Sequence, residues 1–246
     1  MNRPDENGPA EPRRRGLWWA ILAAAMTLPT VASLAYFVWL EGTAWVAPVY
    51  LGAKALQFAG PVAALGVLLA AAFGPTRPGR SVALGLATGI AGAALTWLAY
   101  AVLFRGGEMA ATAAEAVTVK LADFHLDTLG RYIVAALLIS FVHSWLEEVY
   151  WRAFVYGRLR RLTSSSWSHL VAAIGFAAHH VVVIGVYLGD TSILLLTLMS
   201  LPVVFGGVLW SLIYQATGNR LLAPWLSHVC LDLAIMAVGY DLIFAG

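Results

Sequence analysis

The chain has 246 residues, 61% hydrophobic and only 11% charged, with a mean hydropathy of +0.78. An ordinary soluble domain carries about 25% charged residues, so a water-facing globule and a disordered chain are both excluded, while a net charge of +2 without a basic stripe argues against a nucleic-acid partner. The single cysteine, Cys230, rules out an intramolecular disulfide and any multi-cysteine metal centre, which leaves a polytopic membrane protein.

Residues 1–16 are polar, contain three prolines and read as a disordered cytoplasmic tail. About 20 apolar residues cross a bilayer as a helix, and seven such stretches follow: Leu17–Leu40, Ala47–Phe73, Ser81–Phe104, Tyr132–Phe154, Trp167–Leu188, Thr191–Tyr214 and Leu221–Phe244. The first follows Arg13–Arg15 but is too long for a cleaved signal sequence, and it reads as a retained anchor. Between the third and fourth lies an external loop, 105–131, whose alanine-rich middle predicts a short helix, Glu108–Leu121, on the membrane surface. The expected fold is therefore an all-α membrane bundle of about seven spans: three in 17–104 and a four-helix part in 132–246. No period-two alternation supports a β-barrel, and no internal repeat supports an inverted-repeat transporter.

Arg3, Arg13, Arg14, Arg15, Arg77, Arg80, Arg158, Arg160, Arg161 and Arg220 all fall on one side of the alternating spans. The other side receives Arg105, Lys120, Arg131 and Lys54, diluted by acids. The positive-inside rule makes the first side, with the N-terminus, cytoplasmic. The expected location is the inner (plasma) membrane, and the alanine- and arginine-rich usage points to a bacterium.

Ionisable side chains in hydrocarbon are costly and mark function by default. They cluster here in three late spans. The fourth carries His143, Glu147, Glu148 and Arg152; the fifth carries His179 and His180; the seventh carries His228 and Asp232. Glu148 and Arg152 share a helix face at a spacing of four, as do His143 and Glu147, and His228 and Asp232. Glu147 lies about 100° around from Glu148 and faces a neighbouring span. Adjacent His179 and His180 point in different directions, so one of them at most should join a given site. Asp232 could orient the His228 ring through its other nitrogen. Residue counts along each span place these groups in the inner half to the middle of one bundle.

A glutamate beside a histidine can activate water, and further donors can stabilise the oxyanion formed at a carbonyl. The same residue types could instead bind Zn²⁺ and acidify its water. Both routes lead to hydrolysis, in the first with no cofactor required. The sequence lacks an H-E-x-x-H zinc motif, a G-x-S-x-G elbow and a P-loop.

Glu147-Glu148-x-x-x-Arg152, Phe176-x-x-x-His180 and His228-x-x-x-Asp232, in that order on three spans, resemble the CPBP family. These are the CAAX-prenyl-endopeptidase and bacteriocin-processing membrane proteases, also called the Abi family. The stretch Gly206 to His228 resembles the family's approach to its last motif, and the likeness runs from about Arg131 to Ala237. It implies an intramembrane endopeptidase in which Glu147 is the base on water and His180 assists it. His228 and Asp232 would contact the oxyanion, and Glu148 and Arg152 would support the site. In the family the last motif often ends in Asn, and an ionised Asp232 cannot donate to an oxyanion as Asn can. His143 and His179 lie outside the family pattern and read as structural.

The expected partners are the lipid bilayer and a membrane-embedded or lipidated protein or peptide substrate. Two other readings stay open. One is a non-catalytic immunity or partner-binding protein of the same fold, favoured by Asp232. The other is a proton-coupled transporter, disfavoured by the missing repeat.

Overall fold

The computed structural model describes residues 10–65 and 78–245. Among the described residues helix is the only regular structure, and no strand occurs. Helix α1 runs Ala10–Leu34 and continues in π-helical form over Ala35–Trp39. It starts seven residues before the apolar run at Leu17, so the end of the polar segment is helical. Pro12 falls in the first turn, where its missing N–H costs no hydrogen bond. Helix α2 is Val46–Leu65, and α3 is Pro78–Ala99 with a π-helical end, Tyr100–Phe104. Helix α4, Glu108–Asp123, is the one predicted in the external loop. Helix α5 runs without a break over Leu129–Leu162, α6 over Ser165–Leu188, α7 over Ile193–Ala216 and α8 over Leu222–Phe244.

Six of these, α1, α3 and α5 to α8, are long and apolar enough to cross a membrane. The expected seventh is not among them. Lys54 and Gln57 dilute α2, and the remainder of that predicted span, 66–73, lies outside the described residues. The architecture is thus an all-α polytopic membrane bundle with six spans recognisable among the described residues.

The surface has the inverse polarity of a soluble protein. Val102, Phe205 and Ile193 are about 70–84% exposed, whereas Glu148 and Arg152 are 0% and 1% exposed. Lipid, not water, suits such an exterior. The aromatic core, with Tyr150, Trp151, Phe154, Tyr156, Phe176 and Trp210, sits where α1, α5, α6 and α7 meet.

The two ends of the bundle are tied by different groups. At one end, Arg15 donates to the Leu162 carbonyl at 3.0 Å, Arg158 stacks over Trp18 at 4.0 Å, and Arg160 donates to Asn219 at 3.0 Å. At the other, Arg105 pairs with Asp241 at 2.8 Å and Lys120 with Glu41 at 2.6 Å. Three of the arginines that the alternation assigns to one side, Arg15, Arg158 and Arg160, thus meet at one end.

Helix α8 packs along most of α3. Gly85 and Gly89 make that approach close. A Cβ at Gly85 would stand 2.6 Å from the Ala223 carbonyl oxygen, and one at Gly89 would stand 2.8 Å from the Ser227 Cα. Both obstacles are backbone and cannot swing aside, so small residues set the helix spacing here. Gly89→Leu should part the helices and destabilise the protein by about 1–3 kcal/mol, the usual cost of overpacking. Thermal unfolding in detergent checks this, and an unshifted midpoint would refute it.

Candidate active site

The polar residues singled out in the sequence come together where α5, α6 and α8 meet. Helix α5 supplies half of them. It alternates between α- and π-helical winding, with π-helical stretches at Leu138–His143 and Val149–Tyr156. The α-helical piece between them, Ser144–Glu148, carries both glutamates. π-type turns are frequent at functional sites because they rotate the side chains that follow. The helix also runs past the predicted Phe154 end through Arg158, Arg160 and Arg161. Basic residues in a last turn suit the negative end of the helix dipole.

Glu147 is the centre of the cluster and is 2% exposed. Its Oε1 lies 3.3 Å from His143 Nε2 and 3.4 Å from His179 Nε2. Its Oε2 lies 3.8 Å from His228 Nε2. Three imidazoles from three helices therefore surround one carboxylate. His180 joins them: Glu147, His179 and His180 each offer a ligand atom, all within 4.8 Å of one another. His180 Nδ1–H donates to the Phe176 carbonyl at 3.0 Å. A carbonyl can only accept, so this bond fixes the proton on Nδ1 and leaves a lone pair on Nε2.

A second layer holds the first. His228 Nδ1 donates to Glu148 Oε1 at 2.8 Å, and the same oxygen lies 3.3 Å from Arg152 Nη1. The Arg152 guanidinium sits 4.9 Å from the Phe176 ring centroid and 5.0 Å from that of Trp210. Such cation–π contacts stabilise a desolvated cation that one carboxylate alone serves poorly. Trp210 also stacks on the His228 ring, with centroids 4.0 Å apart and planes at 17°, and its Nε1–H donates to Ser227 Oγ at 3.1 Å. Trp151 lies parallel to His179 at 6.0 Å. His228 is therefore clamped by an indole plate and a hydrogen bond, His179 lies parallel to an indole, and His180 is held by its hydrogen bond.

The structure departs from the sequence reading in three places. Both adjacent histidines, not one, join the cluster: His179 Nε2 stands 3.4 Å from Glu147 Oε1, and His180 offers a ring nitrogen within 4.8 Å of both. His179 and His143, read as structural, both stand against Glu147 Oε1. The i,i+4 spacing to Glu147 already carried that signal for His143; nothing in the sequence carried it for His179. Finally, Glu148 holds the Nδ1 of His228, and Asp232 Oδ1 lies 3.5 Å from Nε2. Orienting the ring therefore falls to Glu148, and Asp232 sits at the rim with its side chain 15% exposed.

Residues 129–234 match the family model of the type II CAAX prenyl endopeptidase Rce1-like proteins. The match covers rather less than half of the chain but contains every residue of the cluster described above. It agrees with the CPBP resemblance and associates this part of a multi-pass membrane protein with CAAX-type intramembrane proteases at the level of the family. No curated protein and no solved structure shows a significant match to the chain.

Proposed function

We propose that the protein is an intramembrane endopeptidase of glutamate type, acting on a membrane-embedded or lipidated protein or peptide. The observation that carries this is the buried Glu147 carboxylate ringed by His143, His179 and His228. In this reading Glu147 takes a proton from water as the water oxygen attacks the scissile carbonyl carbon. His180 Nε2, with its free lone pair, accepts from the same water and aims it. Charge develops on the carbonyl oxygen, where His228, protonated on both nitrogens, donates from Nε2. Glu147 then returns its proton to the leaving amine. Glu148 and Arg152 keep His228 in place, and no cofactor enters. The working part is the four-helix segment 132–246, in a plasma membrane of bacterial type with the N-terminus cytoplasmic.

The test is a comparison of membrane-protein and peptide C-termini from cells with wild type and with Glu147→Ala. Termini present with wild type should be replaced by longer ones in the variant. Identical termini at equal expression would sink the proposal.

Asp232 favours a second reading, a non-catalytic partner-binding or immunity protein, because an ionised carboxylate facing the oxyanion position opposes the reaction. Glu148 orients His228, so the ring does not need Asp232, whose Oδ1 lies 3.5 Å from the Nε2 that would donate to the oxyanion. Asp232→Asn should therefore cleave at least as fast as wild type. A hundredfold loss, the scale of one missing oxyanion donor or more, would show that the carboxylate itself is needed. Biological activity that survives Glu147→Ala, His180→Ala and His228→Ala would select the non-catalytic reading.

A further inference from the structure

We infer that Glu147, His179 and His180 form a binding site for a divalent cation of zinc type. Two imidazoles and a carboxylate are the donor set that this borderline cation prefers, and three protein ligands leave room for a fourth. The ligand atoms already lie within 4.8 Å of one another. Tetrahedral zinc with bonds near 2.0–2.1 Å holds its ligand atoms about 3.3 Å apart. Glu147 Oε1 and His179 Nε2, at 3.4 Å, already have that spacing.

The surrounding groups fit the same purpose. A ligating histidine usually donates its other N–H to a backbone carbonyl or carboxylate, which fixes the tautomer. His180 does so with the Phe176 carbonyl at 3.0 Å. Trp151, parallel to His179, restrains the second ring. His143 reaches the same Glu147 oxygen at 3.3 Å, with its side chain 31% exposed, and marks the side from which an ion can enter. Glu147 and His180 belong to the motifs of the protease resemblance, whereas His179 lies outside them, so the complete ligand set is a feature of this chain's own residues. An ion held by Glu147 occupies the proposed base. The zinc-loaded chain is then the blocked form, a consequence that rests on the hydrolytic reading, whereas binding does not.

The experiment uses the full, tag-free chain in detergent. Zinc is titrated by equilibrium dialysis with metal quantification, and Co²⁺ absorption serves as a second probe. One ion per chain should bind, and His179→Ala and His180→Ala should each weaken binding at least tenfold, with the unfolding midpoint of apo protein checked for each. His179→Gln, which keeps the side chain's bulk, guards against a folding defect. Cleavage by wild type should fall at least tenfold in saturating zinc. Absence of saturable binding, or affinity unchanged in these variants, overturns the site. Stoichiometric binding with undiminished cleavage overturns the blocking role. Stoichiometric binding with no cleavage at any zinc level supports the site and counts against the hydrolytic reading instead.

Discussion

Glu147→Gln is expected to lower the cleavage rate by about 10²–10⁴-fold, the range in which a positioned general base acts. Gln has the size and shape of Glu, so the space among the three helices stays filled. The amide oxygen can still accept from His143 and His179, but it cannot take a proton from water. The loss should fall on kcat with KM nearly unchanged, because the substrate is held by the surrounding bundle and not by the base. The unfolding midpoint in detergent should stay close to that of wild type. This profile separates chemistry from architecture: a variant that merely misfolds loses kcat, expression and midpoint together. More than a tenth of the wild-type rate in purified Glu147→Gln would remove Glu147 from the role of base. His180→Ala should show the same split with a smaller loss, since His180 aims the water and does not carry its proton.

Much of this site could be read from local periodicity, because three of its contacts join residues of the same helix, two in α5 and one in α8. His143 with Glu147, Glu148 with Arg152, and His228 with Asp232 are four residues apart, and they stand at 3.3, 3.3 and 3.5 Å. Spacing along a helix predicts such pairs. The contacts between helices were less accessible. Nothing in the sequence tells how far α6 is rotated about its axis, so both His179 and His180 could not be foreseen against Glu147. The same holds for the link from His228 Nδ1 to Glu148, which joins α8 to α5 across the bundle. It also holds for Trp151 and Trp210, whose places as plates on His179 and His228 depend on packing between helices. The π-helical stretches of α5 have no sequence signature of their own, yet they set the direction of everything from Val149 onward. The span count met a different obstacle. Apolar composition marks α1, α3 and α5 to α8 plainly, but Lys54 and Gln57 make α2 ambiguous by composition alone.

Arg152→Met is expected to destabilise the protein by about 3–5 kcal/mol, the cost of leaving a buried charge without its partner. Arg152 is 1% exposed, and Glu148, its partner, is fully buried. Removing the guanidinium leaves the Glu148 carboxylate with His228 Nδ1 as its remaining close partner and takes a cation away from the Phe176 and Trp210 faces. For a chain of this size about 1 kcal/mol shifts the midpoint by roughly 2–4 °C, so the change should be easily measured. The cause can be isolated by a double-mutant cycle. Glu148→Gln removes the charge that Arg152→Met leaves stranded, so the double variant should be more stable than the sum of the single losses predicts. Additive losses would mean that Arg152 acts through packing against the rings and not through the ion pair. Arg152→Lys keeps the charge but not the flat, delocalised guanidinium between two aromatic faces; it should recover part of the stability and little of the ring stacking. If the pair also holds His228 in line, cleavage in Arg152→Met measured well below its lowered midpoint should still show a reduced kcat. A rate equal to wild type there would confine Arg152 to stability and leave the alignment of His228 to Glu148 and Trp210.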